Sequence, residues 1–178
     1  ASSFQLYQEL GLRGEVNFPA FEQALKGFSR YASGQDRLLV LIDYTKPSTE
    51  KRFYILDLLQ KKLLLSTYVA HGRGSGDNYA VAFSNRPGSY QSSLGFFRTG
   101  DTYMGKNGYS LFLDGLEKGI NDKARERAIV VHGANYADPA VLKGQQRLGR
   151  SLGCPALPPD ISKQVIDTIK GGVLLYIY

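Results

Sequence analysis

The residues able to carry nucleophilic chemistry are few, because the chain contains one cysteine and two histidines. Cys154 is preceded by Gly153 and followed by Pro155. A glycine at this position permits a sharp turn whose outward-facing N–H groups would stabilise an oxyanion beside the sulfur. The alternative is a small buried hydrophobic residue, which is what most single free cysteines are.

His132 lies at the end of the apolar run 128–131 and precedes Gly133, so we expect it at the end of a strand. A cysteine nucleophile needs a nearby base to form a thiolate at neutral pH, and histidine is the usual base. Neither Asp nor Asn adjoins His132 in the sequence, so a backbone carbonyl could orient the imidazole. The alternative is a histidine satisfied by local hydrogen bonds.

His71 opens a second glycine-rich segment, with glycines at positions 72, 74 and 76. Alternating glycines resemble a phosphate-binding loop, but no helical pattern follows, and the P-loop motif is absent from the sequence. We therefore expect a mobile or substrate-lining loop, with a structural loop histidine as the alternative. A structural zinc site needs four ligands, and the sequence offers only three Cys and His residues.

Composition restricts the classes of protein. The net charge is +6, but the basic residues form pairs rather than runs, so we expect no nucleic-acid partner, although a polyanionic cell wall would attract the chain. The length of 178 residues suits one domain, and 43% hydrophobic residues suffice for a core. No apolar run is long enough to span a membrane, and we expect no leader within the chain.

The elements that must position these residues begin with a helical segment over residues 1–36. Apolar residues near one face predict a first helix, and Pro19 begins an amphipathic second helix that Ser33 and Gly34 end.

From residue 37 the pattern becomes β-rich. We predict strands at 37–44, 52–57, 63–70, 81–83, 95–99, 109–113, 128–131 and 173–178. A single helical turn is expected at 121–127, and a helix at 161–170 that Gly171 and Gly172 stop.

Two motifs carry a resemblance to a known family. A strand ending in His132-Gly133, followed by Ser151-x-Gly153-Cys154, resembles the signature of the L,D-transpeptidases with a YkuD-type catalytic domain. The stretches 70–72, 105–111 and 150–158 look more like the divergent murein L,D-transpeptidase catalytic domain family. The resemblance covers about residues 38–178, and implies a mainly β, YkuD-like β-sandwich with mixed sheets. That catalytic domain would span 37–178, after an N-terminal helical segment and with a helix after the Cys loop.

The same resemblance implies the roles of the site residues. Cys154 would be the nucleophile and His132 the base and later the acid. The Gly133 carbonyl would orient the imidazole, and the N–H groups of Gly153 and Cys154 would contribute to an oxyanion hole. Substrate-binding residues are expected among Ser151, Arg150, His71 and Tyr109.

The implied reaction is acyl transfer on peptidoglycan stem peptides by an exported protein, in the periplasm or cell envelope. Cys154 would attack the L,D bond after diaminopimelate, D-Ala would leave, and an amine would accept the acyl group. The resemblance implies no metal and no organic cofactor, and it implies that β-lactams of the carbapenem class acylate the thiol.

Two positions depart from the main branch of the family. Leu152 stands where that branch commonly has His, and Pro155-Ala156-Leu157 stand where it commonly has Arg or Asn. A cation for the substrate carboxylate would therefore have to come from Arg150 or Arg147.

Three alternatives remain at this point. With water as the acceptor, the same acyl-enzyme gives an L,D-carboxypeptidase or an endopeptidase. A non-catalytic cell-wall-binding module would have an inert Cys154. A papain-like protease fits poorly, because its cysteine precedes its histidine in the chain.

Overall fold

The computed structural model describes residues 2–33 and 36–178. Its strands are β1 Leu38–Ile42, β2 Phe53–Asp57, β3 Lys62–Thr67, β4 Gly95–Gly105, β5 Gly108–Gly115, β6 Val130–Gly133, β7 Ala156–Leu157 and β8 Leu174–Ile177. Its α-helices are α1 Ser3–Glu9, α2 Phe18–Tyr31 and α3 Pro159–Ile169, and two 3₁₀ turns span Asn135–Ala137 and Pro139–Lys143.

The strands join in the order β3-β2-β1-β8-β4-β5-β6-β7. The β1–β8 and β6–β7 pairs are parallel, and the other neighbouring pairs are antiparallel. The mainly β fold with mixed strand directions, N-terminal helices and a helix after the Cys loop is therefore confirmed. Among the described helices, none combines the length and the hydrophobicity that a membrane span requires.

Both faces of the sheet are buried. Along β1, Val40 and Ile42 belong to the core that α3 covers, whereas Leu39 and Leu41 belong to the core that α1 and α2 cover. This alternation follows from the two-residue period of a strand. The N-terminal helices thus share a core with the sheet, and the division into 1–36 and 37–178 stays a prediction.

Several boundaries differ from the sequence predictions. The strand predicted at 81–83 is wrong: the N–H groups of Val81 and Ala82 both donate to the carbonyl of Ser75 instead of joining a ladder. The helical turn predicted at 121–127 is a series of turns, and the two-residue strand β7 was too short to predict. The second helix ends at Tyr31, and Gly34 lies outside the described residues.

Helix α2 crosses the sheet very closely at Gly27. A Cβ atom added at Gly27 would lie 1.9 Å from the ring of Phe96. That ring has little room to move, because it stacks on Tyr176 at 4.1 Å and contacts Tyr31 at 5.4 Å between centroids. Only a residue without a side chain fits at this crossing.

We expect Gly27→Ala to lower the free energy of unfolding by about 1–3 kcal/mol, because the added methyl group overpacks the contact with Phe96. At an exposed helix position the same substitution would instead raise the free energy of unfolding by about 1 kcal/mol, because alanine has the higher helix propensity. Urea unfolding measures the difference. Ser29→Ala on the exposed face of α2 is the control, and a Gly27→Ala variant as stable as that control would contradict this packing.

Candidate active site

The pairing of β6 with β7 brings the predicted catalytic residues together. His132 pairs with Ala156 in parallel register, so Cys154 comes just before the strand that adjoins β6. The His132 N–H donates to the carbonyl of Pro155 at 3.4 Å, across the same seam. The two side chains line one cavity of about 360 Å³. Its other polar lining residues are Tyr103, Lys106, Asn107, Arg127, Tyr136, Arg150 and Ser151.

The His132 imidazole is held by a backbone carbonyl, as the absence of a neighbouring carboxylate in the sequence suggested. Nδ1 lies 2.9 Å from the carbonyl oxygen of Gly133. A carbonyl only accepts, so Nδ1 carries the proton and Nε2 is the basic nitrogen. Burial lowers the pKa of His132, and the Gly133 carbonyl opposes that shift. The imidazole is therefore neutral at neutral pH.

The Cys154 thiol is also neutral at rest. The residue is 9% exposed, and its Sγ donates to the carbonyl of Ala128 and accepts the N–H of Val130, each at 3.4 Å. Burial raises the pKa of Cys154, while the Val130 N–H and the charges of Arg127 and Lys106 lower it less. The directions of both pKa shifts favour a neutral thiol and a neutral imidazole over a thiolate–imidazolium ion pair.

The Cys154 loop is braced by Ser151. Its hydroxyl donates to the carbonyl of Cys154 at 2.6 Å and accepts the Gly153 N–H at 3.1 Å. The Gly153 N–H thus has an internal partner instead of facing the cavity, contrary to the oxyanion role expected for it. The Cys154 N–H has no hydrogen-bond partner among residues 2–33 and 36–178. The hydroxyl of Ser151, expected to bind substrate, is likewise used inside the loop.

Gly153 has a positive φ of 127°, which favours glycine. A Cβ atom here would also lie 2.9 Å from the carbonyl oxygen of Gln91. The glycine before the cysteine is therefore a steric requirement of the loop.

Arg127, which the sequence did not single out, fixes the segment that lies against Gly153. Its guanidinium donates to the carbonyls of Ser84 and Gln91, each at 2.8 Å, and to the hydroxyls of Ser93 at 2.9 Å and Ser89 at 3.1 Å. Burial lowers the pKa of Arg127, and the Cys154 side chain opposes that shift. All of these partners are neutral oxygens, so Arg127 holds the wall of the cavity.

The cations expected to bind a substrate carboxylate have other partners. Arg150 Nη1 lies 3.1 Å from the carboxylate of Asp77 and donates to the carbonyls of Gly76 at 3.3 Å and Arg73 at 3.4 Å. Arg147 donates to the carbonyl of Leu148 at 2.9 Å and lies 3.9 Å from Asp77. Arg150 lines the cavity, but its guanidinium group is paired with acceptors of the 72–77 loop.

His71 is buried away from the cavity, being 1% exposed. Its Nδ1 accepts a hydrogen bond from Arg52 Nη2 at 2.8 Å, so Nε2 carries the proton and donates to the carbonyl of Gly76 at 3.2 Å. Burial, with the Arg52 charge, lowers the pKa of His71 to about 4. His71 is therefore a structural residue, not the substrate-lining one expected.

Tyr109 is also outside the Cys154 cavity. Its hydroxyl donates to the carboxylate of Asp167 on α3. It lines a second cavity of about 350 Å³, on the side of Gly133, with Lys106 and Ser162. The structure thus does not bring Tyr109 to the sulfur.

Tyr136 is a second cavity residue that the sequence patterns did not reveal, although it follows His132-Gly133 closely. Burial, together with Cys154 and Tyr44, raises the pKa of Tyr136 to about 12. Its hydroxyl is therefore a proton donor at any ordinary pH. A Cβ atom at Gly149 would lie 2.3 Å from the Cβ of Tyr136, so a glycine there leaves room for the ring.

The neutral thiol gives an expected pH profile. The thiolate is the species that reacts with alkylating agents, and a raised thiol pKa leaves little thiolate at neutral pH. We expect the rate of iodoacetamide labelling to rise through about pH 7 to 9, nearly tenfold per pH unit and without a plateau. Cys154→Ser is the control for labelling elsewhere. A plateau already present near pH 7 would show a thiolate–imidazolium pair and contradict the neutral resting state.

The chain is similar to several known proteins. A sequence model of the L,D-transpeptidase catalytic domain matches residues 12–178. Among solved structures, the helical cell shape determining protein Pgp2 from Campylobacter jejuni has a TM-score of 0.50 at 14% identity, over 80% of this chain and 48% of that one. The L,D-transpeptidase of Stackebrandtia nassauensis has a TM-score of 0.47 at 14% identity, over 99% and 75%.

A further similar structure is the L,D-transpeptidase LdtMt1 in complex with imipenem, with a TM-score of 0.48 at 14% identity, over 80% of this chain and 59% of that one. The chain therefore spans about half of the length of the Pgp2 structure and about three fifths of the length of the LdtMt1 structure. No curated protein sequence matches closely enough to add to the comparison. The match over residues 12–178 is decisive: the chain belongs to the L,D-transpeptidase catalytic domain family.

Proposed function

We propose that this chain is a cysteine L,D-transpeptidase that acts on peptidoglycan stem peptides in the cell envelope. The observation that carries the proposal is the cavity shared by Cys154 and His132, with Nδ1 of the imidazole fixed by the Gly133 carbonyl. That hydrogen bond leaves Nε2 as the base for the thiol. The net charge of +6 favours approach to the polyanionic wall.

In the acylation step, His132 Nε2 takes the thiol proton as Cys154 Sγ attacks the carbonyl of the L,D bond after diaminopimelate. The carbon–nitrogen bond then breaks, and the imidazolium gives its proton to the leaving amine of D-Ala. In the second step His132 takes a proton from an acceptor amine, which attacks the thioester, and the sulfur leaves and regains its proton. Both steps balance without a cofactor.

The proposed oxyanion donors are the N–H of Cys154 and the hydroxyl of Tyr136. The first has no partner among the described residues, and the second is protonated and lines the same cavity. Donors fixed in a water-poor cavity stabilise the developing charge strongly. The Gly153 N–H, which already donates to Ser151, is not needed in this scheme.

The resting neutrality of the pair suits a base-assisted attack. Because both groups are neutral, the proton moves from sulfur to His132 only as the sulfur bonds to the substrate. The stabilisation of the oxyanion then compensates the cost of forming an imidazolium in a buried site. A thiol of raised pKa also reacts little with other electrophiles.

Acyl-enzyme formation is the direct test. We expect incubation with a tetrapeptide stem to release D-Ala and to add the acyl mass to the native chain, and a carbapenem to form a stable adduct. Cys154→Ala should give neither product by intact-mass spectrometry. A folded native chain that forms no adduct with either reagent would contradict the proposal and favour a non-catalytic wall-binding module.

The acceptor is tested in the same reaction. With an added amine acceptor, a transpeptidase forms the crosslinked product, whereas an L,D-carboxypeptidase or endopeptidase gives only hydrolysis. Muropeptide analysis separates these products, and exclusive hydrolysis would replace transpeptidation by the hydrolytic alternative.

Removing the Tyr136 hydroxyl should lower the acylation rate. We expect Tyr136→Phe to reduce it about 10²-fold, the usual effect of losing one oxyanion donor. Iodoacetamide labelling of Cys154 forms no oxyanion, so its rate should stay within about twofold. Tyr79→Phe, at a side chain 52% exposed, is the control. Equal losses in both reactions would show that Tyr136 only positions the loop.

A further inference from the structure

The tip of the β4–β5 hairpin carries a lysine that lines the Cys154 cavity. Lys106 lies between the strands, just before Gly108, whose φ of 83° makes the tight turn. Its side chain lines both the Cys154 cavity and the neighbouring cavity beside Gly133. Lys106 therefore lies between two cavities, one lined by His132 and the other by Gly133.

Lys106 differs from the other cations of the Cys154 cavity in having no internal partner. Its ammonium makes no hydrogen bond or ion pair with the rest of the described chain. Arg127 is saturated by four oxygens, and Arg150 is paired with Asp77. Burial raises the pKa of Cys154, and the charge of Lys106 lowers it by a smaller amount. An exposed cation that lines the cavity of the nucleophile and has no internal partner is available to an anionic substrate group.

The proposed reaction supplies such a group on the amine side of the scissile bond. The leaving D-Ala carries a free carboxylate on the carbon next to its nitrogen. That carboxylate lies only about one residue length, roughly 3.8 Å, from the carbonyl that Cys154 attacks. A cavity of about 360 Å³ that contains both Cys154 and Lys106 has room for the bond and the carboxylate together.

We infer that Lys106 is a specificity-determining residue that binds the carboxylate adjacent to the nitrogen of the scissile bond, and this inference rests on the proposed function. An acceptor amine enters where the leaving amine departed. The same ammonium would therefore favour acceptors whose amine-bearing carbon also carries a carboxylate, such as the D-centre of diaminopimelate. Water offers no carboxylate, so Lys106 would favour transfer over hydrolysis.

The test compares a tetrapeptide stem with its C-terminal carboxamide, which differs only in that carboxylate. The readout is kcat/KM for acyl-enzyme formation by intact mass, in the native chain and in Lys106→Gln. We expect the native chain to prefer the free acid about tenfold, the scale of one charge-assisted hydrogen bond. In Lys106→Gln the acid-to-amide ratio should fall to about one, and Lys106→Arg should keep most of the preference.

Lys51→Gln is the matched control, because it removes the same charge from an exposed lysine that does not line the Cys154 cavity. It should keep the native ratio. A Lys106→Gln variant that keeps the native ratio, or a native chain that treats both donors alike, would overturn the role of Lys106 while leaving the acyl-enzyme intact. No acyl-enzyme from either donor in the native chain would overturn the proposed function and this inference with it.

Discussion

The site depends on the parallel pairing of β6 with the two-residue strand β7. This contact sets His132 opposite Ala156 and thereby brings Cys154 to the N–H of Val130. A one-residue slip would turn the side chains of one strand to the opposite face. The register is protected on both sides, because β6 also pairs with β5 and because the Ser151 hydroxyl and the positive φ of Gly153 fix the loop that leads to β7.

Burial then decides the electrostatics. An imidazole oriented by a carbonyl stays neutral, whereas a carboxylate in the same place would raise the pKa of the imidazole and favour an ion pair with the cysteine. The buried Arg52 and the half-buried Arg127 follow the same rule. Arg52 and Arg127 donate mainly to neutral oxygens, so neither of them has a carboxylate as an ion-pair partner at the site. In the proposed mechanism, Cys154 and His132 therefore ionise only when substrate supplies the compensating interactions.

Local patterns in the sequence predict the catalytic pair. The apolar run before His132 and the glycine before Cys154 are short-range signals, and both residues line the same cavity. The role of His71 was not readable, because its partner Arg52 is distant in the sequence and a glycine-rich loop does not reveal burial. Lys106 lies in the stretch 105–111 that carries the family resemblance, but its place in the cavity was not readable for a related reason. The hairpin that carries it extends through Gly105, beyond the apolar stretch that predicted the strand to end at residue 99.

The cost of burying a charge also explains where recognition can reside in this fold. A buried charge needs fixed partners, because leaving it unpaired costs several kcal/mol. Groups such as Arg127 therefore fix the wall of the cavity. Their N–H donors cannot also bind a substrate without breaking the hydrogen bonds that fix this wall. Recognition of an anionic group falls to a cation that solvent already stabilises and that reaches the cavity from outside. The β4–β5 hairpin supplies that position, because the exposed Lys106 in its turn lines the Cys154 cavity, so changes at its tip can alter specificity without disturbing Cys154 and His132.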